Sequence, residues 1–178
     1  MRGTRNRVLN TAVDLVGQGG IRALTHGRID TAAGIAPGST SNHFRTRSAL
    51  VTGVIEWIAS SEREDADVPE ICSEAALVHG LTQMIQAQSG PHAGRTRARY
   101  ALFLEADVDA TRPLREQRAA MDAWLRGILT KLGGAEAANL TSFLIATCEG
   151  LLLHRLTVDP DAAIAPVITR AVAATLRP

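Results

Sequence analysis

Between Leu24 and Phe44 the chain reads LTHGRIDTAAGIAPGSTSNHF, and its polar side chains are of types that hydrogen-bond nucleic acid. Asn42 can pair with adenine in bidentate fashion, and Arg28 can reach the acceptor edge of guanine. Ser39 and Ser41 are small hydroxyl residues that allow close approach and contact either base type. Pro37 and Gly38 let ring and backbone come near a thymine methyl. Phosphate contacts supply most of the affinity of such a surface, while base edges supply its choice of sequence. The phosphate candidates are the Thr25 hydroxyl, beside the free amides of a helix start, together with His43 and Arg47. Arg2, Arg5 and Arg7 read as a mobile arm near the DNA backbone or minor groove.

Two short helices joined by a tight turn are needed to place these groups. Thr25 caps the first, about His26 to Ala33, and Ile29, Ala32 and Ala33 give it an apolar face. Ala33-Gly34-Ile35 makes the turn, and Pro37 opens the second helix, which runs to Phe44. Two such helices at a steep angle form a helix-turn-helix, whose second helix enters the major groove. A preceding helix from about Thr4 to Val16 repeats Val8, Leu9, Ala12, Val13 and Val16 at helical spacing, and Gly17, Gly19 and Gly20 end it. A fourth helix begins near Arg47 behind Thr46 and carries Leu50, Val54, Trp57 and Ile58. One such head is small and binds weakly, so an operator calls for two heads across two half-sites.

The charge distribution agrees with this reading. Residues 1–50 hold seven arginines against two aspartates, +5, while the rest of the chain is −4 within a total of +1. A basic segment on an acidic body suits a DNA-binding head with a separate partner domain, although arginine-rich solvation alone has the same sign. Aromatics make up only 3% of the chain, and Ala, Leu and Arg are plentiful, which predicts an all-helical protein. The two cysteines, Cys72 and Cys148, stand far from any metal-like His spacing and read as thiols in a reducing cytosol. No apolar stretch is long enough to span a bilayer, so a soluble, cytoplasmic protein is expected. HExxH, a phosphate-binding glycine loop, G-x-S-x-G and a zinc-spaced Cys/His set are all missing, so no enzyme and no cofactor is expected. A small helical enzyme, or a ligand-binding or interaction module without sequence-specific DNA binding, is the alternative.

Five further helices are expected at about Glu70–Gln88, Thr96–Val108, Pro113–Leu132, Ala135–Thr157 and Asp161–Leu176. They are separated by Ser89-Gly90-Pro91, Asp109 to Arg112, Gly133-Gly134 and Asp159-Pro160. The polar stretch Glu62–Glu70 is a candidate boundary. Leu140, Leu144, Thr147, Leu151 and Leu152 form one apolar stripe; Ile164, Val167, Ile168, Ala171 and Leu176 form another. The last two helices either close the core or pair with a second copy. A cavity among the central helices would be lined by Trp57, Met84, Tyr100, Phe103, Leu104, Met121, Trp124 and Phe143. Polar contacts there would come from His79, Glu105 and Glu149. Residues of these types at helical spacing also serve as plain core.

The first ~55 residues resemble the TetR family of transcriptional regulators. Arg7-Val8-Leu9 through Ala12 and Leu15 resembles its opening helix, and Gly20, Leu24 and Thr25 its glycine turn and Leu-Thr pair. Ile29, Ala33, Gly34 and Ile35 resemble Ile-Ala-x-x-Ala-Gly-Val; Gly38-Ser39 and His43-Phe44 resemble the run that ends in His-Phe. Arg47 and Leu50 follow in place. Arg99-Tyr100 through Phe103-Leu104-Glu105-Ala106 and Pro113-Leu114-Arg115 resembles the ligand-domain pattern of some members. The sequence departs from the family at Asp30 for Ala, Ala36 for a capping Ser, and Thr40 and Ser41 for Leu and Tyr. Without Ser at 36, helix three lacks that side-chain cap. The resemblance implies a head at 1–48 and a helical regulatory and dimerisation domain at 49–178, about nine helices in all. It implies a homodimer through the last two helices, bound to a palindromic double-stranded DNA operator. It further implies a repressor released by a small-molecule effector whose identity the sequence does not reveal.

Overall fold

The structure is a computed structural model that describes residues 2–65 and 71–177, and of Arg2 only the backbone. Among the described residues it is all-α. The helices are α1 (Arg2–Gly19), α2 (His26–Ala33), α3 (Ser39–His43), α4 (Arg47–Glu64), α5 (Glu74–Ser89), α6 (Ala93–Glu105), α7 (Arg112–Asn139), α8 (Thr141–Thr157) and α9 (Ala165–Leu176), with a 3-10 turn at Ile21–Ala23. By packing the chain divides into one unit of Met1–Ala66 with Gly94–Gln117, and a second of Asp67–Ala93 with Arg118–Pro178.

In the first unit α1 packs on α2, α3 and α4. Val8, Leu9, Ala12 and Val16 of α1 are buried with Ile29 of α2, Phe44, and Leu50, Val54, Ile55 and Ile58 of α4. Ala98 and Leu102 of α6 and Leu114 of α7 complete the same core. Its polar margin is ionic. Arg99, with 1% of its side chain exposed, donates to Glu62 Oε1 at 2.7 Å, and Gln117 Nε2 donates to Glu62 Oε2 at 2.9 Å. Thr46 starts α4 as expected, its hydroxyl accepting from the Ala49 N–H at 3.1 Å.

In the second unit α5 packs on α8 and α9. Leu77, Leu81 and Ile85 are buried on α5, Leu125 and Leu129 on α7, Leu144 and Leu152 on α8, and Ile168 and Val172 on α9. Ser73 caps α5 by accepting from the Ala76 N–H at 3.1 Å. Arg177 closes the end of α9 onto α5 with a bidentate pair to Glu74 at 2.8 and 2.9 Å.

Several expectations are corrected. The first helix begins at Arg2, so Arg5 and Arg7 lie on a helix instead of a mobile arm; Arg5 stacks over the Phe44 ring at 5.5 Å. The side chain of Arg2 lies outside the described residues. α5 begins at Glu74, behind its Ser73 cap, and Glu70 and most of the candidate boundary stretch lie outside the described residues. α6 starts at Ala93 and ends at Glu105, before Val108, and α9 starts at Ala165 with Pro166 in its first turn. Gly133-Gly134 does separate two helical runs: Gly134, at φ 73°, breaks α7 with a kink, and the run that follows it ends at Asn139, so a further break falls at Leu140 before α8. The two apolar stripes face inward in part: Leu144, Leu152, Ile164, Ile168 and Ala171 are buried within the unit. The apolar residues turned outward on α8 and α9 are Phe143, Leu153 and Val167.

Candidate nucleic-acid interface and effector cavity

The turn between α2 and α3 follows from two glycines. Gly34 caps α2 at φ 60° and Gly38 precedes α3 at φ 86°, both in the left-handed region that side chains disfavour. α3 therefore begins at Ser39, two residues later than Pro37 would suggest. Two amides at its start are satisfied from α2. Asp30 Oδ2 accepts from the Gly38 N–H at 2.7 Å, and Oδ1 accepts from the Thr40 N–H at 2.9 Å and the Thr40 hydroxyl at 2.6 Å. So the cap absent at Ala36 is supplied by a carboxylate on the preceding helix. Asp30 and Thr40, two departures from the family pattern, form one contact. Burial of Asp30 works against its charge, yet the bonds from Thr40 and Gly38 and the nearby His26 outweigh it. They hold the carboxyl below its usual value. At the other end of α3, His26 Nε2 donates to the Phe44 carbonyl at 2.6 Å.

With α3 held so, Ser41 and Asn42 stand exposed on its outer side, and Arg28, Thr25, Pro37 and Gly38 are exposed beside it. The inner side buries Thr40. Ser39 is half-buried and its hydroxyl donates back to the Ala36 carbonyl at 2.6 Å, which leaves its oxygen as an acceptor. The Thr25 hydroxyl accepts from the Arg28 N–H at 3.4 Å, as a cap should. His43 is half-buried at the end of α3. Arg47 is exposed, but its guanidinium donates to the carbonyls of Leu24 at 2.6 Å and Ile21 at 2.8 Å. It therefore ties the start of α4 to the 3-10 turn. Sequence reading passed over His26 altogether and took Asp30 only as a departure. The signal was their four-residue spacing, which puts both on one face of α2.

The second unit encloses a cavity of about 30 Å³, lined from α5 by Leu81, Met84 and Gln88 and from α7 by Arg118, Met121, Trp124 and Leu125. Ile145, Cys148, Glu149 and Leu152 of α8 complete the wall. Arg118 and Glu149 form an ion pair in that wall. Burial pushes the Cys148 thiol up to about 11, against the opposing charge of Arg118. Of the residues expected at an effector site, Met84, Met121, Trp124 and Glu149 come together here. His79 lies exposed on α5, and Phe143, 47% exposed, faces outward from α8. Trp57, Tyr100, Phe103, Leu104 and Glu105 belong to the first unit. There the Trp57 indole donates to Asn10 Oδ1 at 2.8 Å, Arg99 sits over the Tyr100 ring, and Phe103 packs on the core. Leu104 is 85% exposed. Among the described residues no helix is long and apolar enough to cross a membrane.

A family model described as the tetracyclin repressor-like C-terminal domain matches residues 73–178, more than half of the chain. No curated protein matches the sequence. Solved structures share the fold almost end to end. A TetR-family member from Streptomyces coelicolor A3 is 22% identical with a TM-score of 0.74, over 97% of both chains. The multidrug binding protein EbrR, solved with ethidium, is 24% identical with a TM-score of 0.69, over 97% of this chain and 98% of its own. The transcriptional regulator FadR from Bacillus subtilis, solved with stearoyl-CoA, is 14% identical with a TM-score of 0.74, over 96% of this chain and 97% of its own. On the family match, the chain belongs to the TetR family of DNA-binding transcriptional regulators.

Proposed function

We propose that this protein is a homodimeric repressor that binds a palindromic operator with residues of its first 48 positions and leaves it when a small molecule enters the second unit. Regulators of this family bind DNA operators and small-molecule ligands and act as dimers, and they are regulators instead of enzymes. The observation that carries the reading is the outer side of α2 and α3, where Arg28, Ser41 and Asn42 are exposed around a short helix held at both ends. Arg28 and Asn42 then read base edges. Ser39 and Ser41 approach closely, Pro37 and Gly38 lie against the groove, and Thr25, His43 and the N-terminal amides of α2 take phosphates. Arg47 acts chiefly by fixing α4 to the head. Residues 49–178 form the regulatory and dimerisation part.

A second copy would cover the outward apolar residues of α8 and α9, Phe143, Leu153 and Val167, which water otherwise wets. An effector would be an apolar organic molecule with one polar group, held by Met84, Met121 and Trp124 and met by Glu149 or Arg118. A space of about 30 Å³ has room for one water, so the effector must select a more open state and can shift the equilibrium only by its preference for that state. Selection of bound sequences from a random duplex pool tests the reading. A palindromic consensus, relaxed or lost in Asn42→Ala and Arg28→Ala, is expected, and no enrichment at low salt would overturn it. In sedimentation, Phe143→Glu should turn a dimer into a folded monomer.

A further inference from the structure

We infer that His26 and Asp30 are the positioning residues of the recognition helix: they bracket α3 from one face of α2, and they decide which bases it reads without touching DNA themselves. The inference rests on the reading of α3 as the element that enters the groove. α3 has five residues, too few for its own hydrogen bonds to define where it lies. Its position must be imposed from outside. His26 and Asp30 are four residues apart on α2, hence stacked on one side of that helix. Asp30 accepts three hydrogen bonds at the start of α3, two from backbone amides and one from the Thr40 hydroxyl. His26 donates one to the carbonyl at its end, and because a carbonyl only accepts, Nε2 carries the proton.

The contacts at Asp30 are selective for a carboxylate. Both of its oxygens face donors, so an asparagine would set its own amide hydrogens against either Gly38 or Thr40. The residue is 5% exposed, and Thr40 is fully buried, so water cannot replace a lost partner. A small tilt of α3 moves Ser41 and Asn42 relative to base edges while leaving the phosphate contacts of Thr25 and the α2 amides in place. The bracket therefore governs discrimination more than total affinity.

The full chain is first taken through duplex selection. Failure to enrich any sequence would defeat the DNA-reading function itself, whatever the variants do. Given a consensus, affinities for that duplex and for a scrambled one are measured for Asp30→Asn, Thr40→Val, Thr40→Ser and His26→Ala, with circular dichroism as the check of folding. The ratio of the two affinities should fall at least about tenfold for Asp30→Asn and about threefold for Thr40→Val and His26→Ala, and hold for Thr40→Ser, which keeps the hydroxyl. Scrambled-duplex affinity and its salt slope should stay within about twofold of the parent, because the phosphate contacts made from α2 are unchanged. A second selection with Thr40→Val should return a relaxed consensus. Valine has the shape of threonine, and Asp30 keeps its two amide donors in that variant, so it reads the effect even if Asp30→Asn does not fold. Folded Asp30→Asn or Thr40→Val protein with the parent ratio and consensus would overturn the inference.

Discussion

Residues 25–44 and the cavity wall of the second unit are organised in opposite ways. In the first, a charged side chain and a ring nitrogen hold a five-residue helix through hydrogen bonds that reach no more than 18 positions along the chain. In the second, Met84, Met121 and Cys148 meet from three separate helices, and apolar burial closes a space of about 30 Å³ around a single ion pair. Directional bonds fix an orientation, which a reader of base edges needs. Apolar packing resists water but can part and close again around another apolar body. The same contrast separates the buried ionic margin of the first unit from the second, where the ion pair on α5, Glu74 with Arg177, lies at the surface.

That contrast can be broken at graded strengths. The largest effect should come from Glu62→Ala, which removes the carboxylate from a guanidinium only 1% exposed and should cost about 3–5 kcal/mol in urea unfolding. A cost under about 1 kcal/mol would show that the polar margin of the first unit is ornamental. In the second unit α5 carries the Ser73 cap beside an exposed Glu74–Arg177 pair, and Ser73→Ala should cost only about 1 kcal/mol by the same measurement.

Acid sharpens the comparison further. The folded-state value of Asp30 lies below its unfolded one, so its stabilising contribution is complete above the ordinary aspartate value of 3.8 and fades as pH falls through that value toward the lower one. The stability gap between the parent and Asp30→Asn should therefore be constant at neutral pH and narrow below about pH 4. A gap that stayed constant to pH 2 would mean that the charge of Asp30 plays no part. The smallest effect is kinetic. Cys148 is buried and its thiol is pushed up to about 11, whereas Cys72 is exposed. A thiol reagent at pH 7.5 should label one cysteine in the folded protein and the second only after unfolding.

Where local rules act, the elements were legible in the sequence. Thr25, Thr46 and Gly34 mark ends that the structure places within a residue of expectation, because a cap is a bond between neighbours. The Gly133-Gly134 break falls where the glycines stand, because a residue free to take positive φ interrupts a helix locally, whereas the further break at Leu140 has no such mark in the sequence. The stripe on α8 left open whether it faces the core or a second copy, and within the unit Leu144 and Leu152 are buried. Leu144 and Phe143 are adjacent and equally apolar, and only their neighbours decide that one is buried and the other exposed.

The sequence by itself determined an all-helical chain, a two-helix unit with a basic surface, and the polar residues on that surface that we propose read bases. Those follow from spacing, capping and charge, which act over a few residues. Tertiary structure alone decided that Asp30 replaces the missing cap of α3, that Arg47 holds the head together, that Trp57 bonds to Asn10 within the first unit, and that Met84 and Trp124 line one cavity of the second. Each of these depends on which distant segment comes to lie alongside. That is set by the burial of the whole apolar surface, and no short window of the chain contains it.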